Sequence, residues 1–182
     1  MFRIVIVVLA FIAAFPAHAT EAGWALLRDG GRVVLIRHAF APGTGDPANF
    51  DIAKCATQRN LSDRGRQQAR KIGSLFSAKA AETEKVLSSR SCRSLETARL
   101  AFGRLAEPFE ALDAFGADDS QKLARNAAVL HEIAEWSGSG NLVLVAEEDV
   151  IAALTGISPR EGEAMVVRAE GTGVHVLGRI IF

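Results

Sequence analysis

Val33-Val34-Leu35-Ile36-Arg37-His38 is the stretch whose reading decides the fold. Four apolar residues in a row, rich in β-branched side chains, lie between Gly30-Gly31 and Ala41-Pro42-Gly43. A short apolar run bounded by turn residues spells a buried strand, here over about 32–37. Its end delivers Arg37 and His38 side by side at the edge of a sheet. In open α/β sheets, ligands bind at the carboxyl ends of the strands. An imidazole placed there can attack phosphorus, and a guanidinium beside it can hold phosphate oxygens by paired, charge-assisted hydrogen bonds.

Outward from this strand the chain alternates. Residues 22–29 have the composition of a short helix that stops at Gly30-Gly31. A loop rich in Gly, Pro and Asp runs from Ala39 to about Arg59, the kind of segment that carries chemistry. Ser62 is placed to cap a helix whose Ala69, Ile72, Gly73 and Phe76 share one face. Lys85 to Ser88 forms a second strand, and a helix follows from about Arg93 to Phe102. Asp118, Asp119 or Ser120 can cap a third helix, on which Leu123, Ala127, Leu130 and Ala134 repeat at helical spacing. Leu142-Val143-Leu144-Val145 is another buried strand, followed by a short helix to about Leu154. Two last strand-like runs, Ala164 to Arg168 and Val174 to Ile181, flank Gly171-Thr172-Gly173 as a hairpin added to the sheet's edge. The alternation implies an α/β fold: a three-layer sandwich with a mainly parallel sheet, helices on both faces and a C-terminal β-hairpin at the edge.

The first nineteen residues are of another kind. Arg3, an apolar stretch from Ile4 to Phe15 and the small-x-small triplet Ala17-His18-Ala19 describe a secretory signal peptide cleaved after Ala19. The apolar stretch is short for a membrane span, the alternative being an uncleaved anchor. Residues 1–19 are therefore a signal peptide and 20–182 one domain, periplasmic or secreted, with no membrane contact after cleavage. Lys plus Arg equals Asp plus Glu at 21 each, so the chain has no basic field and nucleic acid is not an expected partner. Cys55 and Cys92 are the only cysteines. An even number in an oxidising compartment suggests a disulfide, with two buried thiols as the alternative. Neither has a Cys or His at ligand spacing, so no metal or other cofactor is expected.

Three motifs together resemble the histidine phosphatase superfamily, the phosphoglycerate mutase-like fold. They are Leu35-Ile36-Arg37-His38, then Asn60 to Ala69, which opens the first long helix, then Ser88 to Ala98, which runs from the second strand into the next helix. Each is moderately specific, and their order and spacing make the set specific. The resemblance implies that His38 is a transiently phosphorylated nucleophile and that Arg37 and Arg93 bind phosphate. A phosphoryl group needs cationic donors from several directions, and Arg93 near a helix start adds that helix's positive end. Gln67 and Gln68 fall on a helix surface, Gly65 permits close packing, and Thr97 packs or bonds locally. His131 and His175 fall inside an amphipathic helix and a terminal strand, as structural residues.

The chain departs from the family after the third strand. Where a second pocket histidine is expected, Val143-Leu144-Val145-Ala146 is followed by Glu147. A carboxylate about 4 Å from a phosphate oxygen costs on the order of 4 kcal/mol at an effective dielectric near 20. Two arrangements relieve this. A bound phosphate raises the Glu147 pKa, so that it donates a hydrogen bond or acts as an acid. Alternatively, Glu147 pairs with Arg37 or Arg93 and plugs the pocket. The family's loop acid is matched best by Asp113, with Glu107, Glu110 and Asp118 competing.

Two functions follow. The first is an exported, metal-independent phosphohydrolase cleaving a small phosphomonoester through a phosphohistidine on His38. The second is a catalytically impaired relative that binds an anionic ligand or a protein partner. A mutase is disfavoured, since so short a chain has little room for a substrate cap.

Overall fold

The computed structural model describes residues 15–116 and 119–182. Six strands form one sheet in the order β3-β2-β4-β1-β5-β6. β1 (Val33–Arg37), β2 (Thr83–Ser88), β3 (Ala106–Pro108) and β4 (Asn141–Ala146) run parallel. β5 (Ala164–Glu170) pairs antiparallel with β1, and β6 (Gly173–Ile180) antiparallel with β5. This is the mainly parallel sheet with an edge hairpin that the sequence implies.

Alternation along β1 sorts the layers, because successive strand side chains point to opposite faces. Val33 and Leu35 join Leu142 and Leu144 of β4 in one core. That core is closed by Val129 and Ile133 of α4 (Lys122–Ala134) and by Val150, Ile151 and Leu154 of α5 (Glu148–Thr155). Val34 and Ile36 join Val143 and Val145 in the other. There the cover comes from Trp24 and Leu27 of α1 (Phe15–Arg28), Ile72 and Phe76 of α2 (Asp63–Ala78), and Ala98 of α3 (Cys92–Phe102). Strands buried on both faces read as unbroken apolar runs, which is why β1 and β4 were plain in the sequence.

Close backbone approach decides two glycines. A Cβ on Gly65 would sit 2.0 Å from the Phe40 carbonyl oxygen, and one on Gly73 would sit 2.1 Å from that of Ala101. The first lets α2 start against the loop after β1, and the second lets α2 pack on α3. Ser62 caps α2 as expected, its side chain accepting from the Gly65 amide.

Some expectations shift. α1 starts at Phe15 rather than near residue 22, so its first residues belong to the segment assigned to a signal peptide. β3 was not foreseen, being three residues long and ending in Pro108. On α4 the foreseen stripe is out of phase: Leu123 is 83% exposed and the buried positions are Val129 and Ile133. The two alanines of the foreseen stripe offer little area, so the larger β-branched residues set the rotation. Gln121 stands at the N-cap of α4 without a side-chain hydrogen bond, and a 3₁₀ turn (Asp119–Gln121) precedes the helix. Asp118 lies outside the described residues.

Candidate active site

β1, β4 and β2 end side by side. Arg37 pairs in register with Ala146, the His38 amide donates to the Ala146 carbonyl, and the Ser89 amide donates to that of Val145. His38, Glu147 and the turn into α3 are therefore brought to one place by sheet register. Arg37, His38, Asp46, Arg59, Arg93, Glu147, Glu148 and Asp149 all line one cleft of about 530 Å³.

His38 is 1% exposed. Its Nδ1 lies 2.8 Å from the Ala39 carbonyl oxygen. A carbonyl only accepts, so Nδ1 carries the hydrogen and Nε2 keeps its lone pair. Nε2 faces Glu147 Oε2 at 3.8 Å. Burial holds the imidazole below its ordinary pKa, against the pull of the Glu147 charge, so the ring is neutral at pH 7.

Arg93, the second residue of α3, is 3% exposed and held from two sides. Its Nε and Nη2 donate to Glu147 Oε2 at 2.8 and 2.6 Å. Its Nη1 and Nη2 donate to Asp46 Oδ1 and Oδ2 at 2.7 and 3.1 Å. Ser94 Oγ donates to Glu147 Oε1 at 2.8 Å. The Glu147 carboxylate thus occupies an anion seat made of Arg93, Ser94 and the positive end of α3. Burial disfavours its charge, but the Arg93 guanidinium and the hydrogen bond from Ser94 hold it below the usual carboxylate range. This is the plugged arrangement, with Arg93 rather than Arg37 as partner.

Arg37 donates from Nη1 to the Pro159 carbonyl at 2.8 Å and meets Glu148 Oε2 at 2.8 Å. Arg59 reaches the Ala41 carbonyl and lies 3.5 Å from Glu161 Oε1. Asp149 accepts from the amides of Phe115 and Val150, and burial raises its pKa. The cleft's cations therefore all face carboxylates of the same chain.

Asp113 does not face the His38 cleft. It is 7% exposed and accepts from Ser89 Oγ, the Arg90 amide and Arg90 Nε at 3.1, 2.6 and 2.7 Å. Its oxygens are engaged in fixing the turn before α3, which replaces the expected role of loop acid by an architectural one. Glu110 pairs with Arg90 and Glu107 is exposed on β3. His131 is exposed on α4, and His175 is half exposed near Glu170 at 3.5 Å. Neither lines the cleft.

Gln68 corrects a second expectation. Instead of lying on the surface, its Oε1 accepts from the Phe40 amide and its Nε2 donates to the Glu161 carbonyl, both at 2.9 Å. Thr97 does more than bond locally: Oγ1 donates to the Arg93 carbonyl and accepts from the Ala39 amide. Asp46, Arg59, Glu148 and Asp149 were missed. Asp46 had a signal, standing in the Gly43-Thr44-Gly45-Asp46-Pro47 turn of the loop already marked for chemistry.

Cys55 and Cys92 are disulfide-bonded, with Cα atoms 5.6 Å apart. The bond ties the loop after β1 to the first residue of α3, beside Arg93. Among the described residues, no group of three or more His, Cys, Asp or Glu is arranged to hold a metal ion.

Comparison with known proteins places this geometry. No curated protein matches the chain significantly. The protein histidine phosphatase SixA, solved with tungstate, shares the fold at 20% identity and a TM-score of 0.56, covering 82% of this chain and 96% of its own. A phosphoserine phosphatase from Entamoeba histolytica, solved with 3-phosphoglyceric acid, aligns at 15% identity and TM-score 0.58, over 83% and 97%. A mycobacterial glucosyl-3-phosphoglycerate phosphatase, solved with VO3, aligns at 18% and 0.56, over 80% and 96%. At such identities the likeness is one of fold. The family model of the histidine phosphatase superfamily (branch 1) matches residues 33–117, the segment from β1 to the loop after Phe115.

Proposed function

We propose that the chain is an exported phosphomonoester hydrolase that works through a phosphohistidine on His38, without a metal, and that Glu147 holds it closed near neutral pH. The observation that carries the reading is the His38 tautomer: with Nδ1–H committed to the Ala39 carbonyl, the Nε2 lone pair faces the cleft between Arg37, Arg59 and Arg93.

In the proposed step Nε2 attacks phosphorus, the bond from phosphorus to the ester oxygen breaks, and the leaving oxygen takes a proton from Glu147. Water then attacks phosphorus while the Glu147 carboxylate takes its proton, and the bond from phosphorus to Nε2 breaks, releasing phosphate and restoring both His38 and protonated Glu147. Protonating Glu147 serves twice, since it removes a negative charge from the phosphate seat and supplies the acid. Burial holds the His38 imidazole below its ordinary pKa, which extends the neutral nucleophile to the acid side of its usual range, while Glu147 is held below the usual carboxylate range. Export is supported by the signal-like residues 1–19 and by the disulfide.

A second reading is favoured by one observation: the guanidinium of Arg93 is saturated by Glu147 and Asp46. On that reading the plug is permanent and the chain is a non-catalytic relative. Hydrolysis of phenyl phosphate from about pH 4 to 8 by the parent, His38→Ala and Glu147→His separates the two. The hydrolase reading expects parent activity that rises in acid and is absent from His38→Ala. It also expects Glu147→His to gain on the order of a hundredfold in kcat/KM at neutral pH, from the lost repulsion. A parent that matches His38→Ala at every pH establishes the second reading.

A further inference from the structure

A second cavity, of about 370 Å³, adjoins the His38 cleft, and Asp46, Ala114 and Phe115 line both. Its apolar wall is Pro47, Phe50 and Ile52 from the loop after β1, facing Phe115. From this shared wall we infer that the cavity is the subsite for an uncharged aromatic group, which on the hydrolase reading is the leaving group of an aryl phosphomonoester.

Three observations support the assignment. First, the volume falls in the range of small-molecule sites, which are concave, mainly apolar and continuous with the reacting groups. Second, the cavity's charges are consumed within the chain. Asp46 is paired with Arg93, Asp113 and Glu110 both meet Arg90, and Arg125 lies over the Phe115 ring at 5.2 Å. Each of these charged groups already has a partner in the chain, and the rest of the wall, Pro47, Phe50, Ile52, Ala114 and Phe115, is aromatic and aliphatic. Third, the wall is built in advance. Gln58 Nε2 donates to the carbonyls of Asp51 and Ile52, its Oε1 accepts from the Cys92 amide, and the adjacent disulfide closes the same loop on α3. A pre-ordered wall needs little conformational adjustment on binding. Phe50 is 43% exposed, more than a large aromatic gains from if it served the core alone.

The test begins with a ligand that needs no catalysis. Phenol is titrated into the parent and into Phe50→Ala, with chemical shifts followed by NMR; Ile52→Ser is a second variant on the same wall. The parent is expected to bind phenol with millimolar affinity, and each variant to bind it about tenfold more weakly. Benzoate, which brings a charge, is expected to bind less well than phenol. In turnover, the ratio of kcat/KM for phenyl phosphate to that for ethyl phosphate should fall about tenfold in Phe50→Ala, which cancels the difference in intrinsic leaving-group reactivity. Absence of phenol binding, or equal affinity in parent and both variants, overturns the inference whether or not phosphomonoesters are hydrolysed. Phenol binding that depends on Phe50, in a protein that hydrolyses no phosphomonoester, upholds the aromatic subsite and removes the hydrolase reading instead.

Discussion

Asp46 grips the outer edge of Arg93 with both carboxylate oxygens, at 2.7 and 3.1 Å, while Glu147 holds the inner edge. An external anion that wants Arg93 must therefore displace carboxylates already delivered by the chain. Asp46→Asn keeps the shape and removes one charge. We expect it to tighten binding of inorganic phosphate about tenfold, measured by calorimetry. Because Asp46 and Glu147 share one guanidinium, Asp46→Asn with Glu147→Gln should depart from additivity. Unchanged phosphate affinity in Asp46→Asn would show that the outer edge of Arg93 is irrelevant to anions.

Acid should destabilise the protein in two stages. His38 is held below its ordinary value of 6.5, so below that pH the unfolded chain takes up a proton that the folded chain refuses. Glu147 is held below its ordinary 4.5, with the same sign lower on the scale. In both cases stability is present above the unfolded pKa and is lost as pH falls towards the folded one. Asp149, raised by burial, works in the opposite direction. Thermal denaturation across this range should show Tm declining below 6.5, and His38→Asn should flatten the upper stage. A Tm independent of pH down to 4.5 contradicts the buried neutral imidazole.

The disulfide spans 37 residues. Closing a loop of that size stabilises by about 4 kcal/mol on the chain-entropy estimate. Paired Cys55→Ser and Cys92→Ser, or reduction with dithiothreitol, should lower Tm by roughly 10 °C for a domain of this size. The decisive readout is calorimetric: a shift under about 2 °C would mean that other contacts already order the loop.

Gly65→Ala places a methyl carbon only 2.0 Å from the Phe40 carbonyl oxygen. Backbone cannot yield as a flexible side chain can, so α2 must retreat from the loop. A loss of about 2–4 kcal/mol is expected in urea denaturation. Activity should fall further than stability alone explains, because Phe40 follows His38 and Ala39 directly.

The apolar runs of β1 and β4 were legible because strands covered on both faces carry no polar alternation. That His38, Arg37 and Arg93 line one cleft was legible because they stand at strand and helix ends, where local sequence fixes position. Asp46 and Arg59 were not, since a long Gly- and Pro-containing loop gives no periodicity from which a side chain's aim follows. Asp113 was misjudged for a related reason. Nothing in Leu112-Asp113-Ala114 records that Arg90, far away in sequence, has claimed both carboxylate oxygens. Gln68 failed in the same way, because helical phase says which face a residue occupies and not what backbone lies opposite. On α4, counting alanines as equals of valine and isoleucine shifted the buried face.

The antiparallel direction of β5 reaches beyond its place in the sheet. Because β5 runs against β1, its beginning lies beside the end of β1, and the residues just before it serve as latches: Arg37 donates its amide to the Glu163 carbonyl, and the Gly162 amide donates to that of His38. The matched segment ends at 117, yet the backbone that fastens the histidine arrives some forty residues later. Swapping or trimming the C-terminal hairpin would therefore unmoor His38 while leaving every signature motif in place, so motif content alone is a poor guide to competence in shortened versions of this chain.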